Sequence, residues 1–309
     1  LIYTWFKANN TLLVVFGSVA LDTIRTPTST LYEVLGGAAT FSSIAASFFS
    51  KTGIIGVVGK DFPNLYEGIL NRYVDTKGLN KKEGKTFRYD GKYDRTLSTR
   101  KTLKTELNVI RDFSPDVPES YKKSEFVYLA NNDPDQNIKM LKSFDNVKLS
   151  MCDTIEYWIS TKKASVIKMI KNSNIVTMND EEARLLTKEY NLIKCAKKII
   201  EFGSEYVIIK KGEHGSVLFH EDIIFPLAGF PIEDIRDPTG AGDCLGGAMM
   251  GYLANENDID IKTIKKGLIY GNVLGSFVVE GYGVEKLLTL QKIKIDDRIK
   301  KYAAMTQEL

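Results

Sequence analysis

The sequence predicts an α/β protein, a parallel sheet with helices on both faces and a small separate sheet over one edge. Three observations carry this expectation. Short β-branched or apolar runs alternate along the chain with longer helical patterns. The 309 residues are 43% hydrophobic and 26% charged, enough to bury a sizeable core without disulfides or a structural metal. Two β-prone stretches that interrupt the alternation are too polar to be central strands of a buried sheet.

In order along the chain, the strand candidates are Leu12–Phe16, Gly53–Val58, Phe126–Leu129, Val147–Met151, Ile175–Met178 and Tyr206–Lys210. Helical patterns fall between and after them at Ala39–Phe49, Leu65–Tyr73, Asp135–Lys142, Lys162–Lys171, Asp180–Thr187 and Ile193–Phe202. Two more close the series, Gly242–Asn255 and Ile261–Glu280. The interrupting segments are Asp22–Glu33, rich in threonine with Pro27 inside it, and Thr86–Val109, which surrounds the hairpin signal Asp90-Gly91. Loops of that length rarely lack structure of their own, so the two are expected to pair as a small antiparallel sheet. The resulting division is a core of residues 1–22, 34–85 and 110–309 and a lid of 23–33 and 86–109.

Lysine plus arginine (42) nearly balance aspartate plus glutamate (39), which leaves a net charge of +3 and argues against a nucleic-acid binder. No apolar run is long enough to cross a membrane. Cys152, Cys195 and Cys244 are dispersed and match no ligand spacing, the pattern of free thiols in a reducing compartment. The apolar start, LIYTWFKANNTLLVVFGSVALD, lacks a basic leader region and a cleavage site and runs into the first strand. A cytoplasmic location is expected. His214 and His220 sit near turns and belong to no cluster.

Two glycine motifs bear on anion binding. Gly84-Lys85-Thr86 resembles the end of a phosphate-binding loop, but the required upstream glycine is Leu79 and a hairpin pattern follows instead of a helix. Gly240-Ala241-Gly242 with Gly246 resembles a dinucleotide fingerprint, but it comes late in the chain, and Asp243 beside it would repel a pyrophosphate. The whole stretch Asp237-Pro238-Thr239-Gly240-Ala241-Gly242-Asp243 reads better as a helix N-terminus. Converging amides bind an anion there, and the Asp243 carboxylate stands ready to take a proton from an attacking alcohol. A plain turn with an aspartate cap is the structural alternative.

Residues 237–253, DPTGAGDCLGGAMMGYL, closely resemble the C-terminal motif of the ribokinase-like, or PfkB, carbohydrate kinase family. Gly17 to Asp22, Gly36-Gly37, the GxVGxD segment Gly56 to Asp61, the NxxE motif Asn179 to Glu182 and the GxxG turn Gly212 to Gly215 follow in that family's order. The resemblance runs from about residue 12 to 288. It implies a three-layer α/β/α ribokinase-like core with a small β-sheet lid, and a sugar kinase that transfers the γ-phosphate of ATP to an alcohol (hydroxymethyl) group of a sugar or related small molecule, with a nucleoside kinase of the adenosine type as the alternative. A non-catalytic ATP-binding regulator of the same fold is the other class.

By resemblance, Asp243 is the base, and Gly240, Ala241 and Gly242 form the anion hole. Asp22, Gly36 and Gly37 bind the small-molecule acceptor. Thr40 and Phe41 stand where the family usually has asparagine, and Phe41 is expected to present an apolar face there, suited to an acceptor with a flat part such as a nucleoside or to a sugar held mainly by Asp22. Asn179 and Glu182 are expected to organise Mg²⁺ and the phosphates, Glu182 through water, although the same pair is also common at an ordinary helix start. Lys210 either meets an ATP phosphate or is solvated, and Gly212 and Gly215 line the nucleotide groove. Asn272 and Gly283 lie in the region that closes around adenine. Asp237 and Thr239 resemble positions that bind a monovalent cation such as K⁺ in some members. The lid also admits a homodimer built through it. Its run of Lys85, Arg88, Arg95, Arg100, Lys101 and Lys104 leaves the acceptor's identity open.

Overall fold

A computed structural model describes residues 12–306. Residues 1–11, part of the expected core, and the last three residues lie outside that range.

The strands are β1 Leu12–Phe16, β2 Ala20–Arg25, β3 Thr30–Gly36, β4 Lys51–Gly59, β5 Asp75–Lys82, β6 Phe87–Tyr93, β7 Arg100–Glu106, β8 Phe126–Leu129, β9 Leu149–Asp153, β10 Ile175–Asn179, β11 Tyr206–Lys210, β12 Ser216–His220 and β13 Ile223–Leu227. The helices are α1 Ala38–Ser47, α2 Asn64–Tyr73, α3 Pro134–Leu141, α4 Glu156–Thr161, α5 Lys163–Lys171, α6 Asp180–Thr187, α7 Leu192–Glu201, α8 Ala241–Glu256, α9 Ile261–Val278, α10 Glu285–Thr289 and α11 Lys292–Thr306.

Among the described residues, nine strands form the main sheet in the order β13-β12-β11-β10-β9-β8-β1-β4-β5. The run from β11 to β5 is parallel, and the β11-β12-β13 edge is antiparallel. Side chains alternate across a strand, and β1 shows the consequence. Leu13 and Val15 enter the apolar layer beneath α1, α8 and α9, while Val14 and Phe16 enter the one beneath α3, α5, α6 and α7. Buried on both faces, the central strands read as unbroken apolar runs. This is the expected three-layer α/β/α core.

The second sheet, in the order β3-β2-β6-β7, departs from expectation in pairing and extent. It is mixed: β2 runs parallel to β6, and only the outer pairs are antiparallel. Asp90-Gly91 is no turn but lies inside β6, where Arg25 donates to both Asp90 carboxylate oxygens at 2.8 and 2.9 Å. A register shift at Asp90/Gly91 leaves Leu103 of β7 without a partner in the ladder. The chain reverses instead at 94–99, where the Asp94 amide donates to the Thr99 carbonyl. The sheet also begins earlier than expected, at Ala20, so Asp22 is one of its own residues.

Candidate active site

Three neighbouring parallel strands, β9, β10 and β11, end on Asp153, Asn179 and Lys210. Open α/β sheets gather their ligands at such carboxyl ends. The first turn of α8 lies over the same place. Its N-cap is Gly240, in the left-handed region at φ 80°. A Cβ there would lie 2.4 Å from the Phe41 ring, so the turn tolerates no side chain. The Ala241 amide donates back to the Pro238 carbonyl at 3.2 Å. That removes Ala241 from the expected trio of anion-binding amides and leaves Gly242 and Asp243, whose N–H groups have no protein partner among the described residues.

Asp243 occupies this first turn half-buried. Burial pushes its carboxyl up to about 7, the negative charge of Asp153 adds to the rise, and Lys210 and Arg100 oppose it. A carboxyl poised near neutrality is suited to accept a proton from an alcohol. Lys210 is paired within the protein: its Nζ donates to Asp153 Oδ2 at 2.7 Å.

Asn179 and Glu182 form a reciprocal capping box on α6. Asn179 Oδ1 accepts from the Glu182 amide, and Glu182 Oε2 accepts from the Asn179 amide, each at 2.7 Å. The ordinary helix start is therefore real, and it leaves Glu182 Oε1 without a hydrogen-bond partner among the described residues. Burial pushes the Glu182 carboxyl up to about 7 against the pull of Lys210. Glutamine serves equally well in a capping box, so Glu182→Gln should leave thermal unfolding nearly unchanged. A role beside a hydrated cation requires the charge, so the Mg²⁺ concentration for half-maximal rate should rise several-fold. A Mg²⁺ titration of initial rates that superimposes on the wild type leaves Glu182 with the cap alone.

Asp22, 5% exposed, faces this turn from the small sheet. Burial pushes its carboxyl up to about 7, with Asp237 and Asp243 adding to the rise and Arg100 and the Gly37 amide opposing it. Gly36 is required by contact, because a Cβ there would lie 1.9 Å from Asp22 Oδ2. Gly37, at φ 95°, turns the chain into α1. Tyr93 of β6 joins the sheet to the α8 approach through a 3.0 Å hydrogen bond with Thr239 Oγ1. Asp61, from the GxVGxD segment, accepts from the Thr86 amide and hydroxyl and from Arg88, fastening the chain where it re-enters the small sheet.

Asp237 is buried, its oxygens accepting from the Thr239 amide at 2.9 Å and the Gly283 amide at 3.1 Å. It clamps the two loops together, with Gly283 against Val34 of β3. Farther along, Asn272 Nδ2 donates to the Ala228 carbonyl at 2.6 Å. Gly215, at φ 86°, packs against the same segment, where a Cβ would lie 2.1 Å from the Leu227 carbonyl oxygen. Gly212 has open space beside it.

Phe41 is the clearest correction. It is 1% exposed and lies under Gly240, so it supports the turn and presents no face to an acceptor. Two functional candidates were missed. Asp153 falls two residues beyond the expected end of its strand, although a carboxylate closing the apolar run Leu-Ser-Met-Cys was a usable signal. Arg100 was noted only among the lid cations, yet it stacks 5.0 Å from the Tyr89 ring centroid and acts electrostatically on Asp22, Glu182, Asp237 and Asp243.

A carboxyl near neutrality, an ammonium and unpaired helix amides meet at the strand ends beneath a second sheet, an arrangement able to take up a proton and hold an anion in an α/β fold. The chain belongs to the pfkB family of carbohydrate kinases, whose family model matches residues 10–289. It is a kinase of a sugar or a nucleoside. It is similar to the cytidine kinase of Thermococcus kodakarensis, 26% identical over 246 residues that cover 78% of this chain and 88% of that protein. The solved nucleoside kinase of Methanocaldococcus jannaschii shares the fold with a TM-score of 0.75 at 21% identity, covering 96% of this chain and 100% of that one. The Thermotoga maritima ribokinase superposes with a TM-score of 0.75 at 17% identity, covering 94% of this chain and 99% of the other.

Proposed function

We propose that the protein is an ATP-dependent nucleoside kinase with Asp243 as its general base. The observation that carries the chemistry is Asp243 in the first turn of α8, its carboxyl near neutrality, beside two unpaired amides and the Lys210 ammonium. The acceptor's hydroxyl gives its proton to Asp243, and its oxygen bonds to the γ-phosphorus of ATP. The bond from that phosphorus to the β,γ-bridging oxygen breaks, and the electron pair leaves on ADP. The amides of Gly242 and Asp243 and the Lys210 ammonium offset the charge of the group in transfer.

The residues fit a nucleotide-borne Mg²⁺: Glu182 Oε1 is a hard oxygen donor left unclaimed by the cap, the ligand type this ion prefers. Bound there, directly or through water, the ion would neutralise phosphate charge.

The nucleoside class is supported by the cytidine kinase alignment, which spans most of both chains. The test is ADP release across ribonucleosides and free sugars. Ribonucleosides are expected to exceed ribose and fructose in kcat/KM by about tenfold or more, because a site built to hydrogen-bond one acceptor discriminates against those that leave it unpaired. The reverse order assigns the site to sugars.

A further inference from the structure

Asp153 and Lys210 stand on β9 and β11, on either side of β10, and their side chains meet at 2.7 Å across its end. They are 4% and 15% exposed. An ion pair this deep is a poor device for stability, because desolvation of both charges offsets much of their attraction. Its position is more informative. A Cβ on Gly242 would lie 3.1 Å from Lys210 Nζ, so the ammonium rests against the first turn of α8. Asp153 takes one of the ammonium's three donors, and the other two have no protein partner among the described residues. The Tyr128 hydroxyl approaches the same Asp153 oxygen at 3.5 Å, and Gly246, one turn further along α8, leaves room for it.

We propose that Asp153 is a positioning residue: it holds the Lys210 ammonium against the first turn of α8, with its two remaining donors available to the phosphoryl group in transfer. The pair also keeps Lys210 from closing on Asp243, which would occupy the base. The proposal rests on the phosphotransfer reading of Asp243 and adds a second carboxylate with a separate task. Asp243 feels Asp153 from β9, Lys210 from β11, Arg100 from β7, Asp22 from β2 and Tyr128 from β8. Asp153 raises its proton affinity and Lys210 lowers it.

The two members of one ion pair should therefore move the pH profile in opposite directions. Lys210→Gln is expected to lower kcat about 10²-fold, the scale of losing one donor to transition-state charge, and to shift the acid limb of kcat/KM to higher pH. Asp153→Asn is expected to lower kcat about tenfold through a misplaced ammonium and to shift the limb to lower pH. KM for the acceptor should stay near the wild-type value in both. Limbs that shift together, or stay fixed while both variants merely melt earlier, overturn the proposal.

Should either single variant fail to fold, the double variant, which buries no unpaired charge, carries the test. It is expected to fold with kcat near or below that of Lys210→Gln, and recovery of kcat towards wild type overturns the assignment. Asp243→Asn belongs in the same series. Near-native turnover there defeats the phosphotransfer reading itself, whatever Asp153 and Lys210 show.

Discussion

Asparagine in place of Asp243 lowers kcat by about 10²–10⁴-fold, the usual contribution of a positioned general base. The change keeps the side chain's shape, and the half-buried site no longer has to hold a charge, so the loss is expected in a folded protein whose melting temperature is preserved. ATP affinity should change little, because the Gly242 amide and Lys210 remain. The pH dependence follows from the same carboxyl. Asp243 must be ionised to accept a proton, and its carboxyl is pushed up to about 7 by burial and by Asp153, against Lys210 and Arg100. The wild-type kcat/KM should therefore fall as pH drops below neutrality and level off above it, since this ratio reports groups of the free enzyme. Steady-state ADP release on both sides of neutrality checks both points. Turnover by Asp243→Asn within a few-fold of wild type removes the residue from the chemistry.

What could be read from the sequence depended on how local each signal was. β1, β8 and β11 coincide with their expected bounds because strands buried on both faces are written as unbroken apolar runs. β5, Asp75–Lys82, escaped notice because it is a polar edge strand, with a pattern like that of a loop. The parallel pairing of β2 with β6 joins Asp22 to Tyr89 across the intervening core, and no neighbouring residue encodes such a contact. The site divides in the same way. The DPTGAGD stretch was legible because its glycines and its acid act within one turn of each other. Lys210 was legible as a residue but not as half of a pair, since its partner lies 57 positions away. Phe41 was misplaced for a related reason: an aromatic residue at a family's polar position looks like a new pocket wall until Gly240 is seen packed over it.

Asp22 should read the acceptor. Its carboxylate, 5% exposed on β2 and facing Asp243 and Arg100, can only accept hydrogen bonds when ionised. An acceptor hydroxyl supplies the donor. A deoxy analogue leaves a buried carboxylate unpaired, and sites of that kind reject such analogues by about 10⁴-fold or more. With the carboxyl pushed up to about 7 by burial, the ionised form dominates only above neutrality, so the comparison belongs at alkaline pH. There, wild-type kcat/KM should strongly favour the hydroxylated acceptor, and Asp22→Ala should lose most of that preference by weakening the hydroxylated acceptor far more than the deoxy one. Gly36→Ala offers a second route that keeps the charge. Its methyl would fall 1.9 Å from Asp22 Oδ2 and must displace the carboxylate, so discrimination should drop in this variant as well. If both variants keep the wild-type ratio between paired acceptors, Asp22 does not contact the acceptor, and the binding surface must be sought elsewhere on the small sheet.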